Sequence, residues 1–319
     1  MASPSLRQPL ATTAVASKGN VRTARPLRQA DPFRLLAYAV LSFVAILFIM
    51  PFIWMLLKSV MSLGEANSPT FIPTEIHLEN YIGVLFDPDH TLFDPSVNFL
   101  RYLANTMILE VLTISGQTVI ALLAAYGFSR IKFPGRDLLF SLFLITIFIP
   151  VTVTLVPKLI IVTNISRAFA AINPSLAWID SWPSLVIPFL SSTFSIFLLR
   201  QFFMQVPEDL WDAARMDGAG HLRYLFSVLV PISQAAVITT ILFGFIGTWS
   251  AFEWPILVTN TAAWRPIGVA LYTFSSGEHA AQTNLLMAAS VITLLPILLL
   301  YFFAQRLFIE GIATTGLKG

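Results

Sequence analysis

Residues able to do chemistry are few in this chain and widely scattered. The four histidines, His77, His90, His221 and His279, stand far apart without ligand spacing such as HExxH. There is no cysteine, so a thiolate zinc site and a disulfide are both excluded. Neither a GxxxxGK[ST] phosphate loop nor a GxSxG nucleophile elbow is present. Two acidic features remain. One is Glu110, the single charge between Tyr102 and Ser129. A carboxylate inside a membrane is costly, and it faces a translocation path, a neighbouring helix or a partner subunit. The other is the group Glu208, Asp209, Asp212 and Asp217 in VPEDLWDAARMDGAGHLRYLFSVLVPIS, residues 206–233.

The elements that position these residues follow from composition. Of 319 residues 56% are hydrophobic and only 11% charged, with mean hydropathy +0.77. Soluble domains carry about a quarter charged residues, so a soluble enzyme and a disordered chain are both excluded. A net charge of +2 gives no indication of a nucleic-acid partner. Charge-free stretches of about 20 residues are long enough to cross a bilayer as helices. They predict an all-α, polytopic membrane protein with six transmembrane helices at about 35–57, 103–128, 138–157, 184–204, 224–249 and 284–306. Five spans contain a proline (Pro51, Pro150, Pro188, Pro231 and Pro296), which removes a backbone donor and kinks a helix.

Residues 1–34 are polar and basic and read as a flexible cytoplasmic tail rather than a signal peptide. With that tail inside, fourteen of the nineteen Lys and Arg residues fall on the cytoplasmic side, which places both termini in the cytoplasm. The first outer loop, 59–100, then holds no Lys or Arg but six carboxylates.

The acidic group lies in a cytoplasmic loop between spans four and five. Pro207 opens a helix there, and Glu208 and Asp209 set negative charge at its positive end. Leu210, Ala213 and Ala214 share a face, and Gly218 supplies a left-handed stop. The result is a helix of about three turns over 207–218 with small residues on its apolar face. A helix resting on lipid headgroups shows Lys, Arg and bulky apolar residues instead. This one is suited to a protein groove.

The same segment resembles the EAA loop of binding-protein-dependent ABC importer permeases, EAAxxxG followed after nine residues by IxLP. Asp212, Ala213, Ala214, Gly218, Val228, Val230 and Pro231 occupy those places in register, with conservative replacements at 212, 228 and 230. AYGFSRIKFPGRD (125–137), FIPVTVTLVP (148–157), FSIFLLRQFF (194–203) and QRLFIEGIATTGLKG (305–319) resemble the carbohydrate branch, in particular the smaller, six-span permease of maltose-type systems.

That resemblance implies a type I ABC importer permease fold spanning residues 35–308 in a prokaryotic cytoplasmic (inner) membrane. It implies a second permease subunit, two ATPase subunits that carry ATP and magnesium, and an extracytoplasmic solute-binding protein delivering a sugar or oligosaccharide. No cofactor and no catalysis are implied for this chain itself. Coupling to the ATPase is assigned to Glu208, Asp212, Ala213, Ala214, Asp217, Gly218 and Pro231. The tail 309–319, with Gly311, Gly316 and Lys318, is assigned to the ATPase interface. Glu110, Ser250, Phe252 and Glu253 are assigned to the substrate path, although Ser250 and Ala251 replace residues the family often has after Trp249. Trp249 and Trp254 read as an interfacial aromatic belt, and 163–183, with Phe169, Trp178 and Trp182, as a short outer helix. Lys158 and Arg167 read as solvated outer charges. The alternatives are an ion-gradient-driven secondary transporter, which needs an internal ion site, and an intramembrane enzyme, which needs a partner group for Glu110.

Overall fold

In a computed structural model, residues 32–86, 98–276 and 282–315 are described, with side chains as far as residue 303. Among them the chain is helical, and its elements in order are α1 (Pro32–Ser59), α2 (Leu63–Ala66), α3 (Glu79–Phe86), α4 (Phe99–Arg130), α5 (Arg136–Ile145), α6 (Val151–Ile172), α7 (Trp182–Val186) and α8 (Thr193–Gln205). There follow α9 (Asp209–Met216), α10 (His221–Tyr224), α11 (Val230–Ile232), α12 (Gln234–Trp249), α13 (Glu253–Val258), α14 (Ile267–Ser276) and α15 (Thr283–Thr315). The described residues fall into two units, one up to residue 50 and the other from residue 51 onward. The first holds most of α1, and the second contains everything described below.

Among the described residues, four helices are long and apolar enough to cross a membrane: 33–59, 99–130, 151–172 and 283–303. Two bent pairs, 182–189 with 193–205 and 221–232 with 234–249, bring the possible spans to six. The expected number is therefore met, but one span shifts and two bend, each for a local reason. The charge-free run 138–157 is not one helix. Ile149, which precedes Pro150, is held extended at φ −81° and ψ 115°, so α5 ends and α6 starts anew. Helix α6 then carries Lys158 through to Ile172, because the Lys158 amine lies over the Phe189 and Trp254 rings at 4.4 and 5.6 Å. The expected outer helix 163–183 is therefore the end of α6 plus a loop, in which Phe169 stacks on Trp178 at 5.8 Å. Span four bends by 42° beside Pro188. Span five breaks by 85° at Ser233, after a π-helical stretch at Leu225–Leu229 and Pro231. At the far end, α15 continues through Gly311 to Thr315, into the segment expected as a tail.

Helix α4 is the central post. It packs on α8, α12 and α14, and the core beside its C-terminal half joins Ala121, Ala125 and Tyr126 to Phe140, Leu199, Phe203, Tyr224 and Leu229. A second cluster joins its N-terminal end to α3, α14 and α15 through Phe99, Val84, Ile267, Phe274 and Ala288. Between helices in a bilayer, close packing and hydrogen bonds matter more than transfer from water. Asn105 accordingly donates to the Ala263 and Arg265 carbonyls at 2.8 and 3.0 Å. Thr106 accepts from Ile267 N–H at 2.8 Å. Trp249 and Trp254 form no outer belt. They are 3% and 4% exposed, and their indole N–H groups donate to the Thr293 and Ser184 carbonyls.

Gly268 marks the tightest backbone approach, since a Cβ there would sit 2.8 Å from the Ala251 carbonyl oxygen. Gly268→Ala is expected to destabilise the purified protein by about 1–3 kcal/mol, read as a fall in thermal unfolding midpoint in detergent. Gly127→Ala, where a Cβ meets nothing within 4 Å, is expected to leave the midpoint unchanged or slightly raised.

Candidate functional site

Two places gather the functional side chains: helix α9 with its cradle, and a cavity at the opposite end of α8. Helix α9 starts after Pro207, with Glu208 at its N-cap and the Glu208 carbonyl accepting from Trp211 and Asp212 N–H. It ends in a Schellman arrangement, with Gly218 N–H on the Arg215 carbonyl at 3.0 Å and Ala219 N–H on the Ala214 carbonyl at 2.9 Å. Gly218 sits at φ +76°, as its expected role as a left-handed stop requires.

The face expected to meet a protein groove, Leu210, Ala213 and Ala214, is divided in the structure. Trp211 and Ala214 pack against the core, whereas Glu208, Leu210, Asp212, Ala213 and Asp217 are exposed and Met216 is 85% exposed. Leu210 and Ala213 are thus open to a partner, whereas Ala214 faces the bundle. The bulky Trp211 takes the inward position, and that rotates Ala213 and the carboxylates outward. Trp211 stacks on His221 with ring centroids 4.7 Å apart and meets Tyr224 edge-on at 5.0 Å. The Tyr126 hydroxyl and His221 Nδ1 share a hydrogen bond of 2.6 Å, which ties this cage to α4.

Arg130, at the end of α4, donates to the Phe203 and Val206 carbonyls where α8 gives way to α9. Arg200 on α8 donates to the Phe128 carbonyl at 3.1 Å and to Asp137 at 3.0 Å, and lies over the Phe140 ring. A cation at a helix C-terminus answers both its orphan carbonyls and its dipole. The Asp137 carboxyl is held below its usual range by its bond to Arg136, and further by Arg200. Pro231 lies apart from α9, exposed at the break between α11 and α12.

At the other end of α8 the bend at 190–192 opens a cavity of about 400 Å³. Helix α4 contributes Thr113 and Gln117, the start of α8 contributes Ser191, Ser192, Phe194 and Ser195, and α12 contributes Phe243 and Thr248. Ser192 caps α8, accepting from Ser195 N–H at 3.2 Å. The Thr113 hydroxyl is buried without a partner among the described residues. Phe194 and Phe243 meet edge-on at 5.2 Å between α8 and α12. Hydroxyl and amide groups converging between aromatic walls suit a small polyhydroxylated solute.

None of the four expected substrate-path residues lines this cavity. Glu110 lies on another side of α4. Ser250 bonds back to the Ile246 carbonyl, Phe252 packs on Tyr272, and Glu253 is exposed, so helical phase leaves Ala251, Trp254 and Pro255 as the lining residues. Gly311 falls in α15, and Gly316 and Lys318 lie outside the described residues, as does the tail before residue 32. Sequence reasoning passed over Trp211, His221, Tyr126 and Arg130. It also passed over the serines of SSTFS, whose signal was four hydroxyls in an apolar run just after Pro188.

Trp211→Ala is expected to speed amide exchange across residues 209–216 at least tenfold, while α4 and α8 keep their protection, as read by hydrogen–deuterium exchange mass spectrometry.

Comparison with known proteins supplies the family. Residues 117–314 match the family described as "Binding-protein-dependent transport system inner membrane component". The chain is 32% identical over 285 residues to the trehalose/maltose transport system permease protein MalG of Thermococcus litoralis, covering 86% of this chain and 94% of that one. It is 31% identical over 218 residues to the sn-glycerol-3-phosphate transport system permease protein UgpE of Yersinia enterocolitica, covering 68% and 74%. In fold it is similar to a chain of a bacterial ABC transporter involved in the import of the acidic polysaccharide alginate, with TM-score 0.74 at 21% identity, covering 89% of this chain and 99% of that one. The same likeness extends to a bacterial alginate ABC transporter in complex with alginate pentasaccharide-bound periplasmic protein, with TM-score 0.62 at 15% identity, covering 86% and 93%. The chain is thus a multi-pass inner-membrane protein with the fold of ABC importer permeases, and it belongs to the family of binding-protein-dependent transport system inner membrane components.

Proposed function

We propose that this chain is one transmembrane half of an ATP-binding-cassette importer for a sugar, oligosaccharide or related polyol delivered by an extracytoplasmic solute-binding protein. The observation that carries the reading is α9 itself, a short capped helix anchored to the bundle by Trp211 and Ala214 and presenting Asp212, Ala213 and Met216 outward. An exposed alanine lets a partner backbone approach closely, and exposed carboxylates in the first turn suit a basic cleft. The names of the relatives, which concern maltose, trehalose and glycerol 3-phosphate, support the substrate class.

In this mechanism, ATP and magnesium sit on two partner ATPases, and the N- and C-termini of this chain face them from the cytoplasm. Closure of an ATPase moves α9. The Arg130 bonds and the aromatic cage carry that movement into α8, which is about 20 Å long, and its start borders the cavity. Helix α12 follows α9 in the chain and forms another cavity wall, so both walls shift together. Coupling through packed contacts with two discrete arrangements is the general requirement for such a lever. Gly311, Gly316 and Lys318 approach the ATPase pair.

Two outcomes test this in the importer reconstituted in proteoliposomes. Asp212→Lys and Gly218→Pro are expected to abolish substrate-stimulated ATP hydrolysis while the solute-binding protein still docks. Proline cannot adopt φ +76° and cannot donate to Arg215. Unchanged hydrolysis in both would remove α9 from the coupling path. Gly247→Leu, which adds a side chain into open cavity space, is expected to cut uptake of maltose, trehalose or glycerol 3-phosphate at least tenfold with basal hydrolysis preserved.

A further inference from the structure

Glu110 is 2% exposed, and neither carboxylate oxygen has a hydrogen-bond partner among the described residues. It does not belong to the cavity. It lines a separate open groove on the outer faces of α4 and α12, between Val111 and Ile114 on one helix and Ile241 and Phe245 on the other. The groove is almost wholly apolar. Its hydroxyls are Ser115, already spent on the Val111 carbonyl at 2.5 Å, and Thr118, and two hydroxyls offer little to hold a polyol. Val111 is nevertheless 64% exposed, so the described residues leave the surface beside the carboxylate uncovered. An isolated carboxylate bordering hydrocarbon is among the most costly groups a membrane helix can carry. What it lacks is a donor, and an apolar groove along two helices is shaped for a third helix.

We infer that the groove between α4 and α12 seats a transmembrane helix of the second permease subunit, which presents a basic side chain to Glu110. This rests on the reading of the chain as half of an importer. It adds the place where the two halves lock and the charge that the other half must supply. A cation fits better than a hydroxyl donor, because it answers both oxygens and neutralises the charge that burial penalises.

The test uses the importer assembled with its own second permease and purified through a tag on this chain. Glu110→Ala is expected to lower the recovered second permease at least tenfold, with Glu110→Gln intermediate, while the isolated chain keeps its thermal unfolding midpoint. Because the chain has no cysteine, Val111→Cys with Glu110 intact gives a clean probe. It is expected to form a disulfide with cysteines scanned along one helix of the second permease. It is also expected to resist a water-soluble maleimide in the assembled complex. Reversing the basic residue on that helix to Glu is expected to restore assembly with Glu110→Lys. Full recovery of the second permease with Glu110→Ala would overturn the inference, as would rapid maleimide labelling of Val111→Cys in the complex, which would make the groove part of an aqueous path. If the wild-type chain assembles with no second permease, the importer reading itself fails, and the groove inference with it.

Discussion

The structure depends on how one short helix is held. Helix α9 is eight residues long, too short to be stable alone in water. It exists because Trp211 packs against Tyr224 and against His221, which the Tyr126 hydroxyl holds in place, and because Gly218 closes its last turn. Arg130 fixes the chain just ahead of it, at the carbonyls of Phe203 and Val206. With one face anchored in this way, the opposite face projects at a fixed angle to the bundle. A lever needs that rigidity, since a loop would absorb any push it received.

The broken helices serve the same end. A straight helix through span four would leave no cavity, and one through span five would carry α12 away from it. The bend beside Pro188 exposes the start of α8, with its serines, to the space between α4 and α12. The break at Ser233, prepared by a π-helical turn and Pro231, lets the chain return from α9 at 85° and still enter the bundle. Irregular backbone at such depth is tolerated where protein or a cavity covers it, as it is here.

Much of this was legible in the sequence because the signals are local. Charge-free length locates the spans, and Pro207, the acidic first turn and Gly218 define α9 within a residue or two. The inward anchor of α9 was not legible, because Trp211, which draws Ala214 toward the bundle with it, has partners ten or more residues away. The path of α6 through Lys158 was hidden for a related reason. A charge ends a span in a sequence reading, and only the aromatic rings of Phe189 and Trp254 show why this one does not. The cavity escaped because its lining is assembled from five helices, α4, α7, α8, α12 and α13, while Ser250, Phe252 and Glu253, close in sequence, point elsewhere.

Adjacent residues on α9 separate this account from a general one. Ala213 is exposed and Ala214 packs against the core, although they are neighbours in the chain. In the assembled importer, single cysteines at the two positions can be tested for cross-linking to the ATPase subunit with a short bifunctional reagent. A lever seated as described gives a strong cross-link from Ala213→Cys and none from Ala214→Cys. Equal cross-linking from both, or from neither, would mean that α9 is not held in this orientation against a nucleotide-hydrolysing partner.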